Sequence, residues 1–271
     1  MLRKPYLYIL TIFFFCCEEP PDFGTIDPVD TPVVQIQTSE TTFTEFPIEI
    51  EWEGNTTARK FVYELQYVDD PSIPHSWSES DTTSETSMDF NNLDEGNYMF
   101  SVRGLYNQDN IGDVVTLSFT VDVIPGPALR IYPLNQTAYI GDEIDVYLYF
   151  EEVLEESAVT GLHVEIQIDQ NELEFISEYY DQGELLKQFG GQTIWPEPGY
   201  SDDNSTMIIN GVADSDGLYG TGPIIKFSLR VITSGNRTTN INIISVDDSF
   251  LNMDGEPIEF GDPVSGSVTV E

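Results

Sequence analysis

Apolar residues recur at every second position through most of this chain: Ile48, Ile50, Trp52; Tyr98, Phe100, Val102; Val115, Leu117, Phe119, Val121; Ile144, Val146, Leu148, Phe150; Leu162, Val164, Ile166, Ile168; Ile225, Phe227, Leu229, Val231. A strand turns successive side chains to opposite faces, whereas a helix repeats about every 3.6 residues, so this pattern demands half-buried strands. Turn-forming runs such as Glu53-Gly54-Asn55 and Asp69-Asp70-Pro71 separate them at the spacing of a small antiparallel sandwich. No segment carries a convincing helical pattern. With 271 residues, 40% of them hydrophobic, the chain has room and material for two ordinary cores. The expected fold class is all-β, as two consecutive antiparallel β-sandwich domains.

The break between them falls at Val123-Ile124-Pro125-Gly126-Pro127, where two prolines and a glycine interrupt strand pairing. The first sandwich is expected over residues 33–123 and the second, with roughly nine strands, over residues 128–271.

The N-terminus reads differently. Arg3 and Lys4 precede an apolar run from Tyr6 to Cys17, shorter than the roughly 20 residues of a bilayer span, which is the pattern of a signal peptide over residues 1–17. The only two cysteines, Cys16 and Cys17, end that run. Their placement resembles a bacterial lipobox, in which the thiol after a small residue is acylated. That resemblance implies lipidation at Cys17, with two acyl chains to hold the protein on a membrane; simple secretion with inert cysteines is the alternative. Residues 18–32, rich in proline and acids, read as an extended tether. Glu18 and Glu19 directly after the lipidated position resemble an export signal, which implies display on the outer membrane, facing outward.

The segment Leu93-Asp94-Glu95-Gly96-Asn97-Tyr98-Met99-Phe100-Ser101-Val102-Arg103, with Trp52 and Tyr63 before it, resembles the tyrosine-corner strand and core aromatics of fibronectin type III domains. A tyrosine there puts its ring in the core while its hydroxyl ties down nearby backbone, an architectural role. Beyond the hinge, the succession Gly141-Asp142, Gly161, Asp169 to Leu173 to Phe175, Gly183-Glu184-Leu185-Leu186, Gly220-Thr221-Gly222 and Met253-Asp254-Gly255-Glu256-Pro257-Ile258 resembles the cohesin family. The resemblance implies a nine-strand jelly roll that binds dockerin modules through one strand face. On that face it would place His163, Glu165, Gln167, Asp169, Lys187 and Asn210.

Charge and chemistry narrow the function. Forty-eight Asp and Glu against ten Lys and Arg give a net charge of -38, which repels phosphate backbones and excludes nucleic acid as a partner. Two histidines, His75 and His163, and no cysteine beyond the leader leave common catalytic constellations without their parts, so a non-enzymatic role is expected. No cofactor or metal is expected. Weak calcium binding at Asp214-Ser215-Asp216-Gly217 or Asn252-Met253-Asp254-Gly255 is set against the simpler reading of both as solvated turns. Opposite the buried set Ile144 to Phe150, the strand turns Asp145, Tyr147 and Tyr149 outward, where rings offer support to a partner. Between Tyr179 and Tyr200 the chain is rich in rings, and Trp195 and Tyr200 either stack on a polysaccharide or pack as a satellite core. The expected function is a surface-anchored binding protein that captures a dockerin-type protein partner. A carbohydrate-binding module and a structural envelope or adhesion lipoprotein are the alternatives.

Overall fold

The structure is a computed structural model and describes residues 30–68, 77–107, 110–182, 198–212, 217–245, 250–252 and 254–271. The leader, Cys17 and nearly all of the expected tether lie outside them, as do His75, Lys187, Trp195, residues 183–186, residues 214–216 and Met253.

Eight strands build the first sandwich: β1 Val34–Ile36, β2 Thr42–Phe43, β3 Ile48–Gly54, β4 Lys60–Tyr67, β5 Trp77–Thr83, β6 Ser87–Phe90, β7 Gly96–Leu105 and β8 Val115–Val121. They form one sheet in the order β1-β3-β6 and another in the order β2-β8-β7-β4-β5. The alternation works as expected, with Ile48, Ile50, Trp52, Phe100 and Val102 buried between the sheets. Tyr98 Oη donates to the Asp94 carbonyl at 3.1 Å, the tie expected of a tyrosine corner, and Tyr67 Oη donates to the Glu95 carbonyl at 3.0 Å. The two rings meet edge to face at 5.0 Å.

The second sandwich comprises β9 Ala128–Tyr132, β10 Asn135–Ala138, β11 Glu143–Val153, β12 Gly161–Ile168, β13 Leu173–Gln182, β14 Gly199–Tyr200, β15 Thr206–Val212, β16 Gly220–Val231, β17 Arg237–Ser245, β18 Phe250–Leu251 and β19 Gly266–Val270. Two of these, β14 and β18, are two-residue extensions, which leaves the nine longer strands that the sequence leads one to expect. One three-residue 3-10 turn, Glu155–Ser157, is the helical exception among the described residues. One sheet runs β13-β16-β11-β9; the facing sheet runs β10-β19-β17-β12-β15-β14, with β18 also on β12. Between them Phe150, Phe250 and Phe260 stack amid Leu148, Ile166, Leu173 and Leu229. Where the sheets converge, Gly266 is required, because a Cβ there would sit 2.5 Å from Ile131 Cγ2.

One departure from alternation matters. Strand β11 bulges between Phe150 and Val153, Glu152 takes a positive φ of 49°, and Phe150 and Glu151 are buried in succession. A bulge re-aims a side chain. Here it turns Val153, which strict alternation would place outward, into the second core, while Glu151 keeps the outward direction of Tyr149 and meets Arg130 of β9 under the cover of the first sandwich.

Candidate functional site

The two outer faces of the second sandwich differ in chemistry. On the four-stranded sheet the outward residues are charged and paired: Lys226 Nζ lies 2.7 Å from Asp145 Oδ2, and Arg230 bridges Glu143 at 2.7 Å and Glu174 at 3.3 Å. Tyr147 and Tyr149, also on this face, are half-buried and pack with Tyr132 against the core of the first sandwich. The partner these rings support is thus the protein's own neighbouring sandwich.

The opposite outer face is nearly neutral. Strand register sets His163 beside Asn210, Glu165 beside Ile208, and Gln167 between Thr206 and Asn242. It continues through Asn240 beside Ser267 and Thr238 beside Thr269. Within these strands Glu165 is the one outward carboxylate among the described residues, on a chain of net charge -38. Val212 and Ile244, 58% and 46% exposed, add apolar surface. His163 Nδ1 donates to Asn210 Oδ1 at 2.7 Å, while its Nε2 lies 3.5 Å from Glu165 Oε1. Four residues singled out in the sequence, His163, Glu165, Gln167 and Asn210, therefore share one face.

Asp169 sits past the end of β12 and closes a turn. Its Oδ1 accepts from Asn171 N at 2.9 Å and Asn171 Nδ2 at 2.8 Å, bonds that hold its carboxyl below the usual carboxylate range. Tyr200 is half-buried over the second core, its ring 5.6 Å from that of Phe175, and burial raises its hydroxyl pKa. This is the satellite-core arrangement. Asn252 Oδ1 accepts from the backbone N–H of Asp254 at 3.0 Å and of Glu256 at 2.9 Å, with Gly255 at φ 77°, so that segment is a capped turn. Among the described residues, no group of three or more His, Cys, Asp or Glu is placed to hold a metal ion, and no helix is long and apolar enough to cross a membrane.

The junction between the sandwiches holds a buried charge cluster that the sequence reading missed. Arg130 is 2% exposed; its Nε donates to Glu151 Oε2 at 2.8 Å, its Nη1 lies 3.9 Å from Asp94 Oδ1, and its guanidinium covers the Tyr149 ring at 4.2 Å. Asp94 Oδ1 also accepts from Leu134 N at 2.7 Å, across the junction. Glu95 Oε1 accepts from Val123 N at 2.8 Å and Ile124 N at 2.6 Å, which pins the Pro-Gly-Pro connection to the first sandwich. On the other side Gly126 packs so close to Glu151 and Glu152 that a Cβ would lie 2.3 Å from Glu152 Cβ. The one available signal was an arginine between Leu129 and Ile131, just past the hinge of a chain poor in cations.

Burial raises the Glu95 carboxyl from 4.5 to about 7, against the two N–H donors that lower it, and the nearby Glu151 charge adds to the rise. An acid whose folded pKa is raised keeps its proton longer in the folded state. Its stabilising contribution is complete below about pH 4.5 and is lost as pH rises through about 7. The unfolding midpoint in urea should therefore fall across that window, and Glu95→Gln should flatten the fall. An equal fall in the variant would assign the effect to other groups.

The fold and faces define a tandem β-sandwich protein with an immunoglobulin-like first unit, a jelly-roll second unit and a neutral strand face in an acidic surface. A family model described as the Ig-like domain of tip attachment protein J matches residues 23–124. No curated protein matches the chain. Similar solved structures include a type I cohesin–dockerin complex from Clostridium thermocellum, at 16% identity and TM-score 0.44 over 54% of this chain and 95% of that one. The sixth cohesin of Acetivibrio cellulolyticus scaffoldin B, in complex with a Cel5 dockerin, aligns at 14% identity and TM-score 0.44 over 54% of this chain and 100% of that one. A type II cohesin domain from the cellulosome of the same organism aligns at 12% and 0.43, over 53% and 95%. The jelly-roll assignment of the second unit rests on its own strand pairing.

Proposed function

We propose that the chain is an exported, non-catalytic binding protein, lipid-anchored through Cys17, whose second sandwich captures a protein partner on the outer face of its longer sheet. In this reading residues 1–17 are a leader, residues 18–32 a tether, and residues 33–123 and 128–271 the two sandwiches, displayed outward from the outer membrane. The observation that carries the reading is the neutrality of the face bearing His163, Glu165, Gln167 and Asn210 on so acidic a protein. Elsewhere, carboxylates keep surfaces apart by repulsion and hold water tightly. A flat patch of amides, hydroxyls and exposed Val212 and Ile244 can be desolvated at lower cost and can set register by hydrogen bonds. The sequence resemblance to cohesins makes a dockerin-type module the first partner to test.

The test uses the full chain as bait for the producing organism's exported proteins, with calcium present and then chelated. Recovered partners are then titrated against His163→Ala/Gln167→Ala/Asn210→Ala. Calcium-dependent recovery of a dockerin-bearing protein, with affinity at least about tenfold weaker for the triple variant, is the expected result. A partner that binds the variant unchanged would move the site off this face.

A further inference from the structure

At its far edge the neutral face runs into a cleft between the two sandwiches, and we infer that this cleft is a second binding site, for a short neutral carbohydrate. The cleft has a volume of about 460 Å³, within the range of small-molecule sites. Asn92 and Phe46 contribute from the first sandwich; Asn240, Asn242, Ser265 and Ser267 contribute from the second, over an apolar floor that includes Leu134 and Val264. No acidic or basic side chain lines it. On a chain with 48 Asp and Glu, that absence at a junction of two units leaves a charged ligand without a counter-ion.

The polar groups have unspent capacity. The carboxamides of Asn92, Asn240 and Asn242 make no hydrogen bond among the described residues. Ser265 Oγ accepts from Ile243 N at 3.2 Å, which leaves its proton to donate; Ser267 Oγ donates to Asn135 Oδ1 at 2.7 Å, which leaves its lone pairs to accept. Each carboxamide offers donors and acceptors together, as each sugar hydroxyl does, and the half-buried Phe46 ring with Leu134 suits the C–H face of a pyranose. A purely apolar ligand would bury these amides unpaired. An extended peptide recruited by strand addition needs an open sheet edge, whereas β17 and β19 are each paired on both sides. The walls are set in advance by bonds across the junction: Asn135 Nδ2 donates to the Asn92 carbonyl at 2.8 Å, and Leu134 N to Asp94 Oδ1 at 2.7 Å. Little ordering is left to be done on binding.

The experiment is calorimetric titration of the full chain with neutral oligosaccharides of glucose, mannose, galactose and xylose, beside an acidic uronic-acid oligosaccharide. Saturable binding of a neutral sugar is expected, weakened at least about tenfold by Asn240→Ala/Asn242→Ala and unchanged by His163→Ala/Asn210→Ala. Both variants alter exposed or half-buried side chains, and unchanged unfolding midpoints confirm their folding. Three results would each overturn the proposal: no neutral sugar binding, preference for the acidic oligosaccharide, or binding that survives the Asn240/Asn242 variant and is lost in Tyr200→Ala. The protein-partner reading stands or falls independently, on the His163 face.

Discussion

Arg130→Met is expected to lower stability by about 3–5 kcal/mol, because it leaves buried carboxylates facing a site with no cation. Glu151 loses its 2.8 Å hydrogen bond and Asp94 its neighbouring guanidinium, while Tyr132 and Tyr149 lose the plane that packs on their rings. Since Asp94 belongs to the first sandwich and Arg130 to the second, the loss also loosens the junction. Scanning calorimetry should resolve two transitions in the variant where the parent shows one. The double variant Arg130→Met/Glu151→Gln should recover part of the loss, since replacing both members of a buried pair costs far less than stranding one. A loss below about 1 kcal/mol would show that water reaches the cluster and screens it as it screens surface pairs.

A loss of similar size, about 3–5 kcal/mol, is expected for Phe150→Ala, through cavity formation instead of stranded charge. Phe150 is fully buried, with ring centroids of Phe250 and Phe260 at 5.9 Å and 5.7 Å, so both strands β11 and β18 lean on it. Chemical denaturation followed by near-ultraviolet circular dichroism reads the effect on the second core. The second sandwich should then unfold ahead of the first, whose core is a distinct cluster that meets the second sandwich through Tyr132, Tyr147 and Tyr149. A cost below about 1 kcal/mol would mean that the neighbouring rings collapse into the space.

The two variants separate two kinds of information. Phe150 was legible from the sequence: it closes the alternating run Ile144, Val146, Leu148, Phe150, and a strand period of two needs no knowledge of what lies opposite. The same rule put His163, Glu165 and Gln167 on one face before any sheet was known. Pairing then brought Asn210 beside His163. Arg130 and Glu151 were not legible. Alternation leaves both as ordinary outward residues, and they are buried only because the first sandwich covers that face. Tyr147 and Tyr149 show the limit from the other side. Their outward direction was read correctly, but what covers them is contributed by residues far away in the chain.

The neutrality of the long sheet's outer face has the same character. Thr238, Asn240 and Asn242 do lie in a run without Asp or Glu from Gly217 to Val246, but nothing in that run says which strands adjoin it. Only when β10, β19, β17, β12 and β15 are laid side by side do their outward residues form a continuous patch holding Glu165 as its one in-strand carboxylate among the described residues. The cleft with Asn92 and Phe46 needs one further step, the docking of one sandwich on the other.

Local periodicity, turn chemistry and composition thus determined that this chain is all-β, that it divides near the Pro-Gly-Pro segment, and which side chains face the cores, because each follows from the geometry of a few consecutive residues. Tertiary structure alone decided that the connection is held at both ends, that Arg130 is buried among carboxylates from both sandwiches, and that the outward residues of five strands join into one face with Glu165 as its one in-strand carboxylate among the described residues. Those features depend on strand order and on the contact between two sandwiches, and no short-range pattern supplies either.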